Sequence, residues 1–342
     1  MTIYIVGSSS TVMHGGWADQ FALKMVRRYA VRNSAISAAS TLMSLIRMKQ
    51  EAPYEPGDIV LWSGCVADAT ALTAGGFQDG SLLAYLEEMI RHVAECGATF
   101  LPILIDTWNA DMNKDQRPYK DALLELFNHY GLAWVDITEE YERDTGLPEI
   151  PRHFFNATGH MHANSDMSRY IGDLAAEAVD AGLARLPEGD PVYVDPERKL
   201  MVVNRFDPDS AAELFKNRVV ETTLWQPGVS LPPEGRPAGD LELEAVVFMA
   251  VPEGGAVDLS VGEETVTLSA RCTVGAGNWQ MMLAAYLPNM IGAPLSVPEG
   301  STITTAWTSE AKTVEPDLMF HPEPGAGPSR ARLAAMAFRP SA

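Results

Sequence analysis

The sequence predicts an α/β domain followed by an all-β domain. Through about residue 185, short apolar runs alternate with amphipathic segments. After the turn-rich LPEGDP (186–191), the pattern becomes short strands punctuated by proline and glycine. At 342 residues the chain is long enough to bury two cores. The expected boundaries are 1–187 for the first domain and 192–342 for the second.

The apolar runs of the first part are IYIVG (3–7), the weaker YAVRNSAI (29–36), DIVLWSG (58–64), FLPILID (100–106) and AWVDIT (133–138). Short apolar runs bounded by turn signals read as buried strands. Between them, SLLAYLEEMIRHVAECG places Leu82, Leu86, Met89, Ile90 and Val93 on one helical stripe. In YKDALLELFNHYG, Tyr119, Leu123, Leu126, Phe127 and Tyr130 do the same, and Gly131 is the expected stop. SDMSRYIGDLAAEAVDAGLARL reads as the last helix, with Ser165 as its expected cap. Strands alternating with helices imply a parallel sheet covered on both faces. Five of them predict a flavodoxin-like three-layer α/β/α sandwich.

The second part contains KLMVVNRF, VVETTLW, LELEAVVFMAV, AVDLSV, ETVTLSARC, WQMMLAAYL, STITTAW and RARLAAMAF. Period-2 alternation in AVDLSV and ETVTLSA, with frequent turn residues, predicts an all-β sandwich. DPDSAAELFKN is expected to form a helical turn, and no other helix is expected there.

A formal net charge of −20 repels phosphate, so neither nucleic acid nor an anionic membrane is an expected partner. Cys65, Cys96 and Cys272 form no disulfide framework and no metal knuckle, and no metal or cofactor is expected. Met1 leads straight into IYIV with no basic stretch or signal-type apolar core. The expectation is cytoplasmic synthesis without a membrane span, with release or association with a particle left open.

In an open parallel sheet, ligands bind beyond the carboxyl ends of the strands. Candidate residues are therefore Ser8 to Thr11, Asn33, Ser63 to Asp68, Asp106 to Asn109, Asp136, and the late stretch NATGHMHANSD. GSSSTVMHGG matches neither the phosphate-loop nor the dinucleotide-loop pattern. A serine nucleophile needs a histidine within hydrogen-bond reach, and one is available on the same sheet edge. The plainer reading makes Ser8, Ser9 and Ser10 small residues of a helix-capping turn. His160 and His162 could pair on a metal, but no third ligand is evident nearby. His14, Trp108 and His160 are candidate substrate contacts. Trp62 and Trp134 are expected in the core, while Trp225, Trp279 and Trp307 could either stack on sugars or pack inside.

These stretches resemble SGNH/GDSL-type hydrolases over roughly residues 1–185. GSSST resembles the first block, a strand followed by G-D-S, which implies Ser9 as nucleophile and its amide as an oxyanion donor. VRNSAISAAS resembles the second block, with Asn33 at the asparagine and Ala38 at the glycine whose amide joins the oxyanion hole. GDIVLWSGCVADA resembles the third block, G-x-N-D. Gly64 matches, but Val66 and Ala67 stand at the asparagine and acid, and Asp68 comes one place late. HANSDMSRYIGDLA resembles the last block, which implies His162 as base, with Asn164, Arg169 and Ile171 at family-like offsets. The acid three residues before the base is replaced by Gly159. A backbone carbonyl, Asp68, Asp106 or Asp136 would then orient His162.

The resemblance implies a serine esterase, and its pairing with a β domain implies acyl groups, acetyl in the first place, on carbohydrate. The β domain would hold the polymer or mediate homo-oligomerisation. The missing acid and asparagine imply an alternative: a weak or inactive module that binds polysaccharide as part of a surface or phage-like spike.

Overall fold

The computed structural model describes residues 1–37, 39–51, 54–64, 67–68, 71–72, 77, 79–106, 117–156, 162–206, 212–216, 221–250, 255–271, 281–308 and 332–341. The chain divides into two compact units, Met1–Thr73 with Gln78–Val194, and Ala74–Phe77 with Asp195–Ala342.

In the first unit, β1 (Thr2–Gly7) leads into α1 (Ser9–Val12) and α2 (Trp17–Met25). There follow β2 (Ala30–Asn33), α3 (Thr41–Gln50), β3 (Ile59–Ser63), α4 (Asp79–Glu95), β4 (Thr99–Leu104) and α5 (Arg117–His129). β5 (Val135–Asp136), α6 (Ile137–Thr145) and α7 (Ser165–Asp180) complete it. The five strands form one parallel sheet in the order β2-β1-β3-β4-β5. That is the expected α/β sheet with the flavodoxin-like strand order.

Alternation within the strands divides the core between two faces. Ile3, Ile5, Ile59, Leu61, Leu101 and Ile103 pack on one side with Trp17 and Phe21 of α2 and Met167, Ile171 and Ala175 of α7. On the other side Trp62 meets Phe127 of α5 edge-on. Burying each large apolar side chain contributes about 1.5–3 kcal/mol, which is why both faces must be covered. Helices α2 and α7 approach closely because position 172 is glycine. A Cβ there would stand 2.8 Å from Gln20 Cβ and 2.9 Å from the Phe21 amide nitrogen.

One local expectation changes. The cap of α7 is Asn164 rather than Ser165, because the Asn164 carboxamide oxygen accepts the amides of Asp166 and Met167. The first unit runs to Val194. The buried Glu87 carboxylate of α4 holds that segment, accepting the amides of Val192 (2.7 Å), Tyr193 (2.6 Å) and Val194 (2.7 Å) and the Tyr130 hydroxyl (2.7 Å).

The second unit holds β6 (Met201–Val203), β7 (Ala212–Lys216), β8 (Glu221–Trp225), β9 (Ser230–Leu231), β10 (Leu241–Ala250), β11 (Ala256–Val261) and β12 (Glu264–Ser269). β13 (Met281–Tyr286), α8 (Leu287–Ile291), β14 (Leu295–Val297), β15 (Ile303–Thr308) and β16 (Arg332–Pro340) follow. One sheet runs β13-β10-β16-β8-β7, with β14 on β10 and β6 on β16, and a second runs β12-β11-β15-β9. Every strand pair in these two sheets is antiparallel.

Here too the structure corrects two expectations. Ala212–Lys216, read as part of a helical turn, is strand β7, paired with β8 from Ala212↔Trp225 to Lys216↔Glu221. So short a segment has no helix stability of its own, and cross-strand partners decide its state. Conversely, WQMMLAAYL ends as a strand at Tyr286, and α8 begins. Pro288 cannot donate to a ladder and suits a first helical turn, while Gly292 takes the left-handed conformation that ends it.

Candidate functional site

The strand order reverses between β1 and β3, so the crevice at their carboxyl ends is the natural ligand position of this sheet. β1 enters it through Gly7. A Cβ at that position would lie 2.3 Å from the Ser63 carbonyl oxygen of β3 and 2.8 Å from Thr11 Oγ1. Only glycine lets the chain pass so close to the neighbouring strand and turn at once into α1.

The three serines have different surroundings. Ser8 is buried, with its amide on Ser63 O (3.3 Å) and its own carbonyl accepting the amides of Thr11 and Val12. Ser9 is the first residue of α1 and only partly buried. Its amide has no acceptor within the helix, as for any first-turn position. Ser9 Oγ lies 2.8 Å from His162 Nε2.

His162 reaches this point from a short antiparallel bridge. Phe155 pairs with Ala163, the Asn156 amide donates to His162 O (2.8 Å), and the Asn164 amide donates to Phe154 O (2.8 Å). The Asn164 side chain then donates to His153 O (2.7 Å) while capping α7. Phe155 and Ala163 pack into the core, which fixes the bridge and the direction in which His162 projects. Burial lowers the imidazole pKa below its usual 6.5, so the ring stays neutral near pH 7, with one nitrogen free to accept a proton.

No protein-family model matches the chain, and no curated protein matches it in sequence. Solved structures do. A two-domain esterase (CEX) active on acetylated mannans, co-crystallized with mannopentaose, aligns at a TM-score of 0.57 and 10% identity over all of this chain and 91% of that one. The acetyl xylan esterase AlAXEase aligns over 52% of this chain and all of its own, at a TM-score of 0.46 and 15% identity. A lipolytic G-D-S-L family protein from Veillonella parvula covers 53% of this chain and 98% of its own, at a TM-score of 0.43 and 17% identity. The chain shares the fold of the two-domain esterase.

The other candidate residues are distributed as follows. Asn33, at the end of β2, donates its side-chain amide to Thr11 O (3.0 Å) and accepts the Ala35 amide (3.0 Å), tying α1 to the neighbouring strand. His14 is exposed, with Nδ1 3.3 Å from Asp19. Ala38, Trp108 and His160 lie outside the described residues, as do Val66, Gly159 and Trp279. Trp62 is fully buried and Trp134 half-buried. Trp225 is buried, with its indole N–H on Asn204 O (3.3 Å), and Trp307 is partly exposed.

The three candidate acids are engaged away from His162. Asp68 is fully buried and accepts the Thr41 amide (2.6 Å), the Thr41 hydroxyl (2.5 Å) and the Tyr119 hydroxyl (2.7 Å). Burial pushes its carboxyl up to about 6, against those hydrogen bonds, which favour the charged form. Asp106 accepts the Thr138 hydroxyl (2.9 Å) and pairs with Lys120 (2.9 Å). Asp136 caps α6 and pairs with the same ammonium (2.7 Å). Burial alone would lower the Lys120 pKa, but the two carboxylates more than offset this and hold it above its ordinary value. Among the described residues, none of the three acids is hydrogen-bonded to His162. Lys120, Thr41 and Tyr119 carried no signal in the sequence as partners of these acids. They come from helices α3 and α5, whose docking on the sheet cannot be read from spacing.

Proposed function

We propose that this chain is a serine esterase that removes acyl groups, acetyl in the first place, from carbohydrate. The single observation behind the reading is the 2.8 Å contact between Ser9 Oγ and His162 Nε2 at the crevice of a parallel sheet. Ser9 Oγ attacks the ester carbonyl as His162 Nε2 takes its proton. The negative oxygen of the tetrahedral intermediate is held by the Ser9 amide and, by motif resemblance, the Ala38 amide. His162 then protonates the departing sugar oxygen, and water repeats the sequence to release the acid and restore Ser9. Fold likeness along the whole chain to an esterase active on acetylated mannans supports an acetylated polysaccharide as the substrate to test first.

The test is acetate release from acetylated mannan and turnover of p-nitrophenyl acetate, with serine labelling by a fluorophosphonate probe. The reading expects labelling of the wild type and none of Ser9→Ala. Equal, background labelling of both proteins overturns it. Glycan binding without turnover would then favour the polysaccharide-binding alternative.

A further inference from the structure

Asn156 stands opposite His162 on the bridge that carries the histidine. With Phe155 paired to Ala163, and the Asn156 amide donating to His162 O at 2.8 Å, positions 156 and 162 face one another directly across the two strands. Directly opposed residues of antiparallel strands project to the same side, with Cβ atoms about 4.5–5.5 Å apart. Phe155 and Ala163 project to the other side, into the core. On the His162 side, Asn156 Oδ1 is buried and, among the described residues, has no hydrogen-bond partner. His162 spends Nε2 on Ser9 Oγ, and among the described residues nothing is hydrogen-bonded to Nδ1. One unmatched buried acceptor and one unmatched ring nitrogen thus share a face, at a separation that asparagine and histidine side chains span by rotation.

We propose that Asn156 is the positioning residue of His162, its Oδ1 accepting the Nδ1–H so that the Nε2 lone pair faces the Ser9 hydroxyl. The catalytic meaning of this contact rests on the esterase reading above, whereas the contact itself does not. A carboxylate behind a catalytic histidine both fixes the tautomer and stabilises the imidazolium. A carboxamide does only the first. The two are distinguishable by titration, and the imidazole here is shifted downward by burial with no charged group contributing. Asp68, Asp106 and Asp136, the candidate acids among the described residues, are committed to Thr41 and Tyr119 or to Lys120.

The experiment is long-range ¹⁵N–¹H correlation NMR of the histidine-labelled full chain, as wild type, Asn156→Ala and Asn156→Asp, titrated from acid to neutral pH. In the wild type, His162 is expected as the Nδ1–H tautomer with a pKa below 6.5. Asn156→Ala is expected to mix the tautomers and to lower kcat/KM for p-nitrophenyl acetate about tenfold. The nearly isosteric Asn156→Asp is expected to raise the His162 pKa by about one unit or more, carrying the acid limb of kcat/KM with it. It also decides the matter should the alanine variant fail to fold. An unchanged His162 tautomer and titration across the variants overturns the proposal, whether or not the chain hydrolyses esters. Changed titration in a protein that neither turns over ester nor takes the probe supports the contact while removing the esterase reading.

Discussion

Ser9 and His162 stand 153 positions apart in the chain and 2.8 Å apart at the crevice of the sheet. Ser9 comes from the turn after the first strand, and His162 from the approach to the last helix of the first unit. If the pair works as one unit, either truncation should cost nearly the whole rate. Ser9→Ala and His162→Ala are each expected to lower kcat for p-nitrophenyl acetate by about 10³-fold or more. Ser10→Ala, one residue further into α1, is expected to retain turnover and fluorophosphonate labelling. Comparable losses in Ser9→Ala and Ser10→Ala would mean that the turn matters only as structure.

The pH dependence follows from the environment of His162. Burial lowers its pKa below 6.5, and in the proposed mechanism the imidazole must be neutral to accept the Ser9 proton. The rate therefore falls as pH falls through that lowered value, and kcat/KM at pH 6.5 should exceed half its plateau. A profile of kcat/KM against pH checks this directly. An acid limb centred near or above about pH 7 would require an anionic partner on the imidazole.

Gly7 sets the path of the chain into the site. The added Cβ of Gly7→Ala would meet the Ser63 carbonyl at 2.3 Å, and a strand backbone in mid-sheet cannot rotate away. The expected cost is about 2 kcal/mol or more, together with reduced Ser9 labelling as α1 shifts. Thermal unfolding and probe labelling of the variant measure the two effects separately. A variant with unchanged midpoint and labelling would show that β1 and β3 can separate freely at this point.

Asp68 carries a linkage between pH and stability. Its folded pKa, about 6, lies above the unfolded value of 3.8, so the native state binds more protons between the two. Its contribution is fully present below the unfolded value and is lost as pH rises through about 6, by on the order of 3 kcal/mol for a shift of this size. Asp68→Asn removes that dependence. The stability of wild type relative to Asp68→Asn should therefore fall as pH is raised from about 4 to 7, as measured by urea unfolding at each pH. A difference that stays flat over this range would mean that Asp68 is already ionised in the fold.

The sequence by itself determined the parallel sheet and its strand-ending turns. Long apolar runs and helical stripes respond to burial, and that demand is local to each segment. The serines after the first apolar run were legible as candidates because they follow the carboxyl end of an expected buried strand. Two short segments were not legible. AELFK has helical composition and became a strand because its partner ETTLW lies alongside. LPNMIG, with proline near its start and glycine at its end, did carry a helix signal, but one hidden by the apolar run before it.

Only the tertiary structure decided which groups meet. Asp68, Asp106 and Asp136 all follow strands and are equivalent by position. They differ because α3 brings Thr41 to one, and α5 brings Tyr119 to that same one and Lys120 to the other two. Asn156 could not be singled out along the chain, since its place opposite His162 is created by the pairing of Phe155 with Ala163. Strand and helix formation follow from neighbours in sequence. The chemistry of a carboxylate or an imidazole follows from partners that the packing of distant elements delivers within a few ångströms.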